Sequence, residues 1–66
     1  WDYAEAVRLY RLAAEQGNAV AQYNLGNMFE NGRGVRKNRA EAIRWYRLAA
    51  AQGDADAATD LRRLRA

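Results

Sequence analysis

Side chains able to do covalent or proton-transfer chemistry are scarce in this chain. There is one Thr (Thr59) and one Lys (Lys37), with no Cys, His or Ser. A weak nucleophile needs a neighbouring base, most often His, and that partner is missing. Carboxylates remain. Asp56 and Asp60 stand four apart, so on a helix both would face one water or one metal. Charges near a helix start also favour the positive end of the helix dipole, and that plainer reading is preferred. Gly32-Arg33-Gly34 is no phosphate loop, because no strand pattern precedes it and no Gly-Lys-Ser/Thr follows. No catalytic residue, cofactor-binding residue or metal ligand is expected, and the chain reads as non-enzymatic.

The other chemistry on offer is cationic. Eleven Lys and Arg stand against eight Asp and Glu, a net charge of +3. Arg8 and Arg11 recur as Arg44 and Arg47, and Arg33, Arg36, Lys37 and Arg39 cluster between them. Contacts to a phosphate backbone need such a patch. Against this, Glu5 precedes Arg8 and Glu41 precedes Arg44 by three residues, a spacing that suits pairing along one helix. A solvated, salt-bridged outer face is preferred, with nucleic-acid binding through the arginine faces kept as the disfavoured alternative.

These side chains must be positioned by helices, since no strand pattern competes. Asp2 with Glu5 and Asn38 with Glu41 have the spacing of capping boxes, and Asn18 and Asp54 are further N-caps. Gly17, Gly32 and Gly53 stop the helical patterns that follow those caps. The spacing predicts four helices, at about 2–16, 19–31, 39–52 and 55–65. Ala21, Leu25, Met28 and Phe29 make the buried face of the second. Val35 is expected to plug back into the core from the loop. The first helix is apolar over most of its circumference and is expected to be packed on more than one side. Tyr3, Tyr10, Phe29, Trp45 and Tyr46 fall at core spacing, whereas Tyr23 does not. Sixty-six residues bury only about 60% of their unfolded surface, so stability is expected to be marginal. No apolar run approaches the roughly 18 residues that span a membrane. The first residue is Trp1 rather than Met, so a signal peptide or further units can lie upstream of this numbering.

The chain repeats itself with a period of 36 residues. Residues 3–30 laid on 39–66 give 14 identities, among them the Ala-Glu-Ala that opens each copy and the Gln-Gly that closes it. A period of this length marks a stacked helical array, in which each unit covers its neighbour's apolar face. Function then depends on a surface rather than an active site.

The repeated positions resemble the Sel-like repeat (SLR) family, relatives of the tetratricopeptide repeats. Ala21, Leu25-Gly26, Phe29, Gly32, Gly34-Val35, Trp45-Tyr46, Ala49-Ala50 and Gly53 fall at that family's offsets. The resemblance implies an all-α, right-handed α-α solenoid of antiparallel helix pairs in one segment. In that frame 2–16 is a half-unit, 19–52 a complete unit and 55–65 a terminal helix. Phe29 stands for the usual Tyr, Asn38 for Asp, and Leu9 for Trp in the first copy. Arg62 stands where the second helix has Gly26. A glycine there lets two helices approach, and an arginine cannot be buried unpaired, so the outer face of the fourth helix is expected to meet water.

Tyr23, Asn27, Glu30 and Asn31 form a continuous stripe opposite the buried face of the second helix. Its counterparts on the fourth are Thr59, Arg63 and Ala66. The stripe varies between copies while the core positions do not. The resemblance places such helices along a concave groove, so these residues are expected to bind a protein or peptide partner. A segment that only caps a longer array is the structural alternative. The helix at 2–16 lacks the first helix of its own unit, so one apolar flank is expected to be open, and such exposed repeat ends imply self-association. Alanine and arginine richness suggests a bacterial source, and the resemblance a soluble protein of cytoplasm or periplasm, with nothing in the residues to fix the compartment.

Overall fold

The computed structural model describes residues 2–65. Trp1 and Ala66, and with them the pairing of Ala66 with Glu30 in the repeat, lie outside the described residues. Four α-helices follow one another: α1 (Tyr3–Glu15), α2 (Ala19–Asn31), α3 (Arg39–Ala51) and α4 (Ala55–Arg65). Each packs chiefly on its neighbours in sequence, α2 against α3 most extensively. The fold is an all-α helical repeat.

All four helices start on the residues expected to cap them. Asp2, Asn18, Asn38 and Asp54 accept a hydrogen bond from the backbone N–H three residues on, at 3.1, 2.9, 3.1 and 2.9 Å. Each such cap contributes about 1 kcal/mol. The reciprocal half of the first capping box differs from expectation. The Glu5 carboxylate takes the Arg8 guanidinium instead, at 2.5 and 3.1 Å, because a charged donor outcompetes a neutral amide. At the other ends, Asn18 and Asp54 N–H groups reach back to the carbonyls of Ala13 and Ala49, at 3.1 and 3.2 Å. These six-residue closures satisfy carbonyls that the helices leave without partners.

The core forms where α3 lies between α2 and α4. Leu25, Ala42, Tyr46, Ala49 and Ala57 are fully buried there, with Trp45, Phe29, Met28, Val7 and Leu64 around them. Small residues set the spacing. A β-carbon on Gly26 would stand 2.8 Å from Cδ1 of Tyr46 and 3.2 Å from the Ala42 carbonyl oxygen. Glycine is therefore required for α3 to sit at this depth. The loop after α2 is held equally closely. Gly34 has φ +73°, and a β-carbon there would overlap the Tyr3 carbonyl. Val35 beside it packs against the core as expected.

One buried polar group has no counterpart in the apolar pattern. Gln22 is 4% exposed. Its Nε2 donates to the Ala14 carbonyl at 3.1 Å, and its Oε1 accepts from Gln52 Nε2 at 2.9 Å. Gln52 also donates to the Gly17 carbonyl at 2.8 Å.

Two expectations about α1 need correction. Its second side is bare: Leu9 is 52% and Leu12 50% exposed. Trp45, the repeat counterpart of Leu9, is 2% exposed, because α3 has a helix on both sides and α1 packs mainly on α2. Tyr3 was expected in the core and is exposed instead, lying beneath the Arg33 guanidinium at 5.8 Å. No helix among the described residues is long and apolar enough to cross a membrane.

Candidate partner-binding groove

The residues predicted to bind a partner fall into two groups. Tyr23, Asn27 and Glu30 are half-buried, and Asn31, Thr59 and Arg63 are exposed. Helical spacing puts the first four on one face of α2. Both α2 and α4 pack on α3, which fixes their relative positions.

Glu30 is the joint between them. Its Oε1 accepts from the Tyr46 hydroxyl and from Arg63 Nη2, each at 2.8 Å, and its Oε2 receives Arg63 Nη1 at 2.7 Å. One carboxylate thus joins a residue from each of the last two helices. The Arg63 hydrogen bond, chiefly, holds the Glu30 carboxyl below its ordinary value of 4.5. Burial opposes it, while the Tyr46 hydroxyl and the field of Arg39 assist. Burial, and then the hydrogen bond to Glu30, pushes the Tyr46 phenol well above its ordinary 10.0. Arg63 also reaches Asp60 at 3.3 Å. Burial and then the Asp60 carboxylate raise Tyr23.

Tyr23 also packs. Its ring lies 5.6 Å from that of Tyr46, tilted by 36°, so the one aromatic expected outside the core is braced by it. The Asn31 amide donates back to Asn27, at 2.9 Å to the carbonyl and 3.2 Å to Oδ1. Among the described residues the Thr59 hydroxyl meets only the Arg62 guanidinium, at 3.5 Å. Tyr23, Glu30 and Arg63 are thus brought into one network, Asn27 borders it through the Tyr46 hydroxyl and also holds Asn31, and Thr59 stays outside. Two members of the first network were not anticipated in this role. The spacing puts Tyr46 in the core, and Asp60 reads as a solvated helix-start charge. The i, i+3 spacing of Asp60 and Arg63 was the signal available for the latter.

The arrangement is one of fixed donors and acceptors beside an aromatic ring, which suits recognition. Among the described residues no group of three His, Cys, Asp or Glu is placed to hold a metal ion. The arginine faces are largely engaged. Arg8 pairs with Glu5 and Arg44 with Glu41, at 2.5 and 3.5 Å. Arg44 also lies over the Trp45 ring at 4.4 Å, and Arg11 over Phe29 at 5.7 Å. Arg39 donates to the Leu64 carbonyl. Arg62, at the position of Gly26, is exposed, as expected of an outer face that meets water.

The Sel1 repeat family matches residues 1–18 and 19–54. Two solved structures are similar over most of the chain. One is a Sel1 repeat protein from Oxalobacter formigenes, 48% identical with a TM-score of 0.87 over 88% of this chain and 24% of that one. The other is a protective antigen of uropathogenic Escherichia coli strains that displays an SLR fold. It is 51% identical with a TM-score of 0.80, over 80% of this chain and 11% of that one. The chain therefore spans less than a third of either protein. No curated protein matches it.

Proposed function

The chain belongs to the Sel1 repeat family, whose members generally act as protein–protein interaction scaffolds, and from that premise we propose that it binds a peptide or partner helix between α2 and α4. Tyr23, Asn27, Glu30, Asn31, Thr59 and Arg63 would make the contacts. The observation that carries this reading is the Glu30 joint. It ties Arg63 of α4 to Tyr46 beneath α2, so the face is preorganised before any partner arrives. A preorganised face loses less side-chain entropy on binding. An extended peptide or an amphipathic helix laid in a groove is the fitting mode.

In this reading 2–16 is the second helix of one unit, 19–52 a complete unit, and 55–65 the first helix of the next. The family match over 1–18 and 19–54 supports that division. Nucleic-acid binding is disfavoured because most arginines already have a carboxylate, a ring or a carbonyl as partner. The test is capture of binding partners on the immobilised chain. The Tyr23→Ala, Asn27→Ala double variant should lose them while keeping its helicity. Unchanged capture removes the groove from consideration.

A further inference from the structure

A cleft of about 310 Å³ lies where the ends of α2 and α4 meet the start of α3, lined by Glu30, Asn31, Lys37, Arg39, Arg63 and Leu64. Three of these side chains are cationic and one is anionic. The anion is fully committed, since both oxygens of Glu30 are taken by Arg63 and the Tyr46 hydroxyl. It touches neither Lys37 nor Arg39, and only the field of Arg39 reaches it. Lys37 has no partner among the described residues, so its three donors are unspent. Arg39 spends donors only on the Leu64 carbonyl, out of the five that a guanidinium carries. The positive N-terminal end of α3 faces the cleft together with the negative C-terminal ends of α2 and α4, so the attraction for an anion comes from the side-chain cations.

We infer that this cleft receives carboxylate side chains from an acidic peptide segment of the partner. The inference rests on the scaffold reading above and gives that partner its chemistry. Arg39 offers a planar fork that matches a carboxylate, and Lys37 a point charge beside it. The volume is at the small end of ligand pockets, suited to one or two acidic side chains. A nucleic acid would need a run of cations along several phosphates. Here Asp60 and Glu30 stand on Arg63, and Glu41 on Arg44, which interrupts any such run.

The experiment is a fluorescence-anisotropy titration of the chain with a fluorescein-labelled peptide of alternating Glu and Gly. The same peptide with Gln for Glu and a labelled oligothymidylate of equal length serve as comparisons. The Glu peptide should bind, and binding should weaken as salt rises. Lys37→Glu should weaken it about tenfold and Lys37→Gln about threefold, as expected for loss of exposed charge contacts. Arg47→Glu, the same charge change on an exposed position outside the cleft, should change it less than about twofold. Circular dichroism shows whether each variant remains folded. Four results would overturn the inference. They are no binding of the Glu peptide, equal binding of the Gln peptide, tighter binding of the oligothymidylate, or equal losses for Arg47→Glu and Lys37→Glu. Partner capture that depends on Tyr23 and Asn27 but not on Lys37 would overturn only the acidic chemistry and leave the groove standing.

Discussion

The ring of Tyr46 lies on the backbone of Gly26, so near that a β-carbon at 26 would stand 2.8 and 2.9 Å from two of its carbons. Tyr46 is fully buried and its hydroxyl is anchored to Glu30, so the ring cannot swing away cheaply.

Gly26→Ala should therefore destabilise the fold despite alanine's better helix propensity. Overpacking costs about 1–3 kcal/mol, against about 1 kcal/mol gained in propensity. A net loss of up to about 2 kcal/mol in urea denaturation is expected. Combining it with Tyr46→Leu should cost less than the sum of the two single changes, since they share the contact.

Acid should weaken the Glu30 joint. A carboxyl whose folded pKa is lowered contributes stability that is present above its unfolded value and lost as pH falls through the folded one. Glu30 is lowered from 4.5. The stability difference between the protein and Glu30→Gln should thus be constant near neutrality and shrink below pH 4.5. Urea melts at a series of pH values read this directly. A difference that persists unchanged into strong acid would mean that the carboxylate charge is irrelevant.

The loop between α2 and α3 depends on Gly34. Its φ of +73° and its closeness to Tyr3 oppose any side chain on two grounds. Gly34→Ala should lose about 2 kcal/mol or more. Gly53→Ala has open space around its β-carbon and should lose only about 1 kcal/mol from its backbone angle. Thermal melts of the two variants should preserve that order.

Self-association should run through the bare flank of α1. Leu9 and Leu12, each about half exposed at 52% and 50%, form an apolar surface of the kind that seeks a partner. Sedimentation should show concentration-dependent association that Leu9→Gln with Leu12→Gln abolishes. A protein that is monomeric throughout, with or without these changes, would contradict this.

Helix positions were legible in the residues because caps and periodicity agreed. Asp2, Asn18, Asn38 and Asp54 each bond the amide expected of them. The depth of packing was legible at Gly26 alone, because glycine inside a helical pattern has few other reasons to be there. The candidate site was legible as a stripe and not as a network. Periodicity shows which residues share a face. It carries nothing about Glu30 meeting Arg63, which stands 33 residues away on another helix. The bare side of α1 divided the expectations: the apolar surface alone suggested packing all round, while the missing first helix of its unit pointed to one open flank, which is what the exposed Leu9 and Leu12 show. Gln22 escaped notice because a glutamine beside a buried stripe looks like any solvated amide until its partners are seen.

The amide of Gln52 bears on how the molecule comes apart. A linear array of helices whose units touch only through apolar faces can lose an end unit while the rest persists. Here the turn after α3 grips both the turn after α1 and the buried Gln22 of α2. Detaching α1 strips Gln22 of its Ala14 acceptor and frees the Gly17 carbonyl from Gln52. Fraying from the first helix is thereby coupled to melting of the centre. The chain should open as one cooperative unit, with amide protons in α1 and α3 exchanging at a common rate rather than in succession.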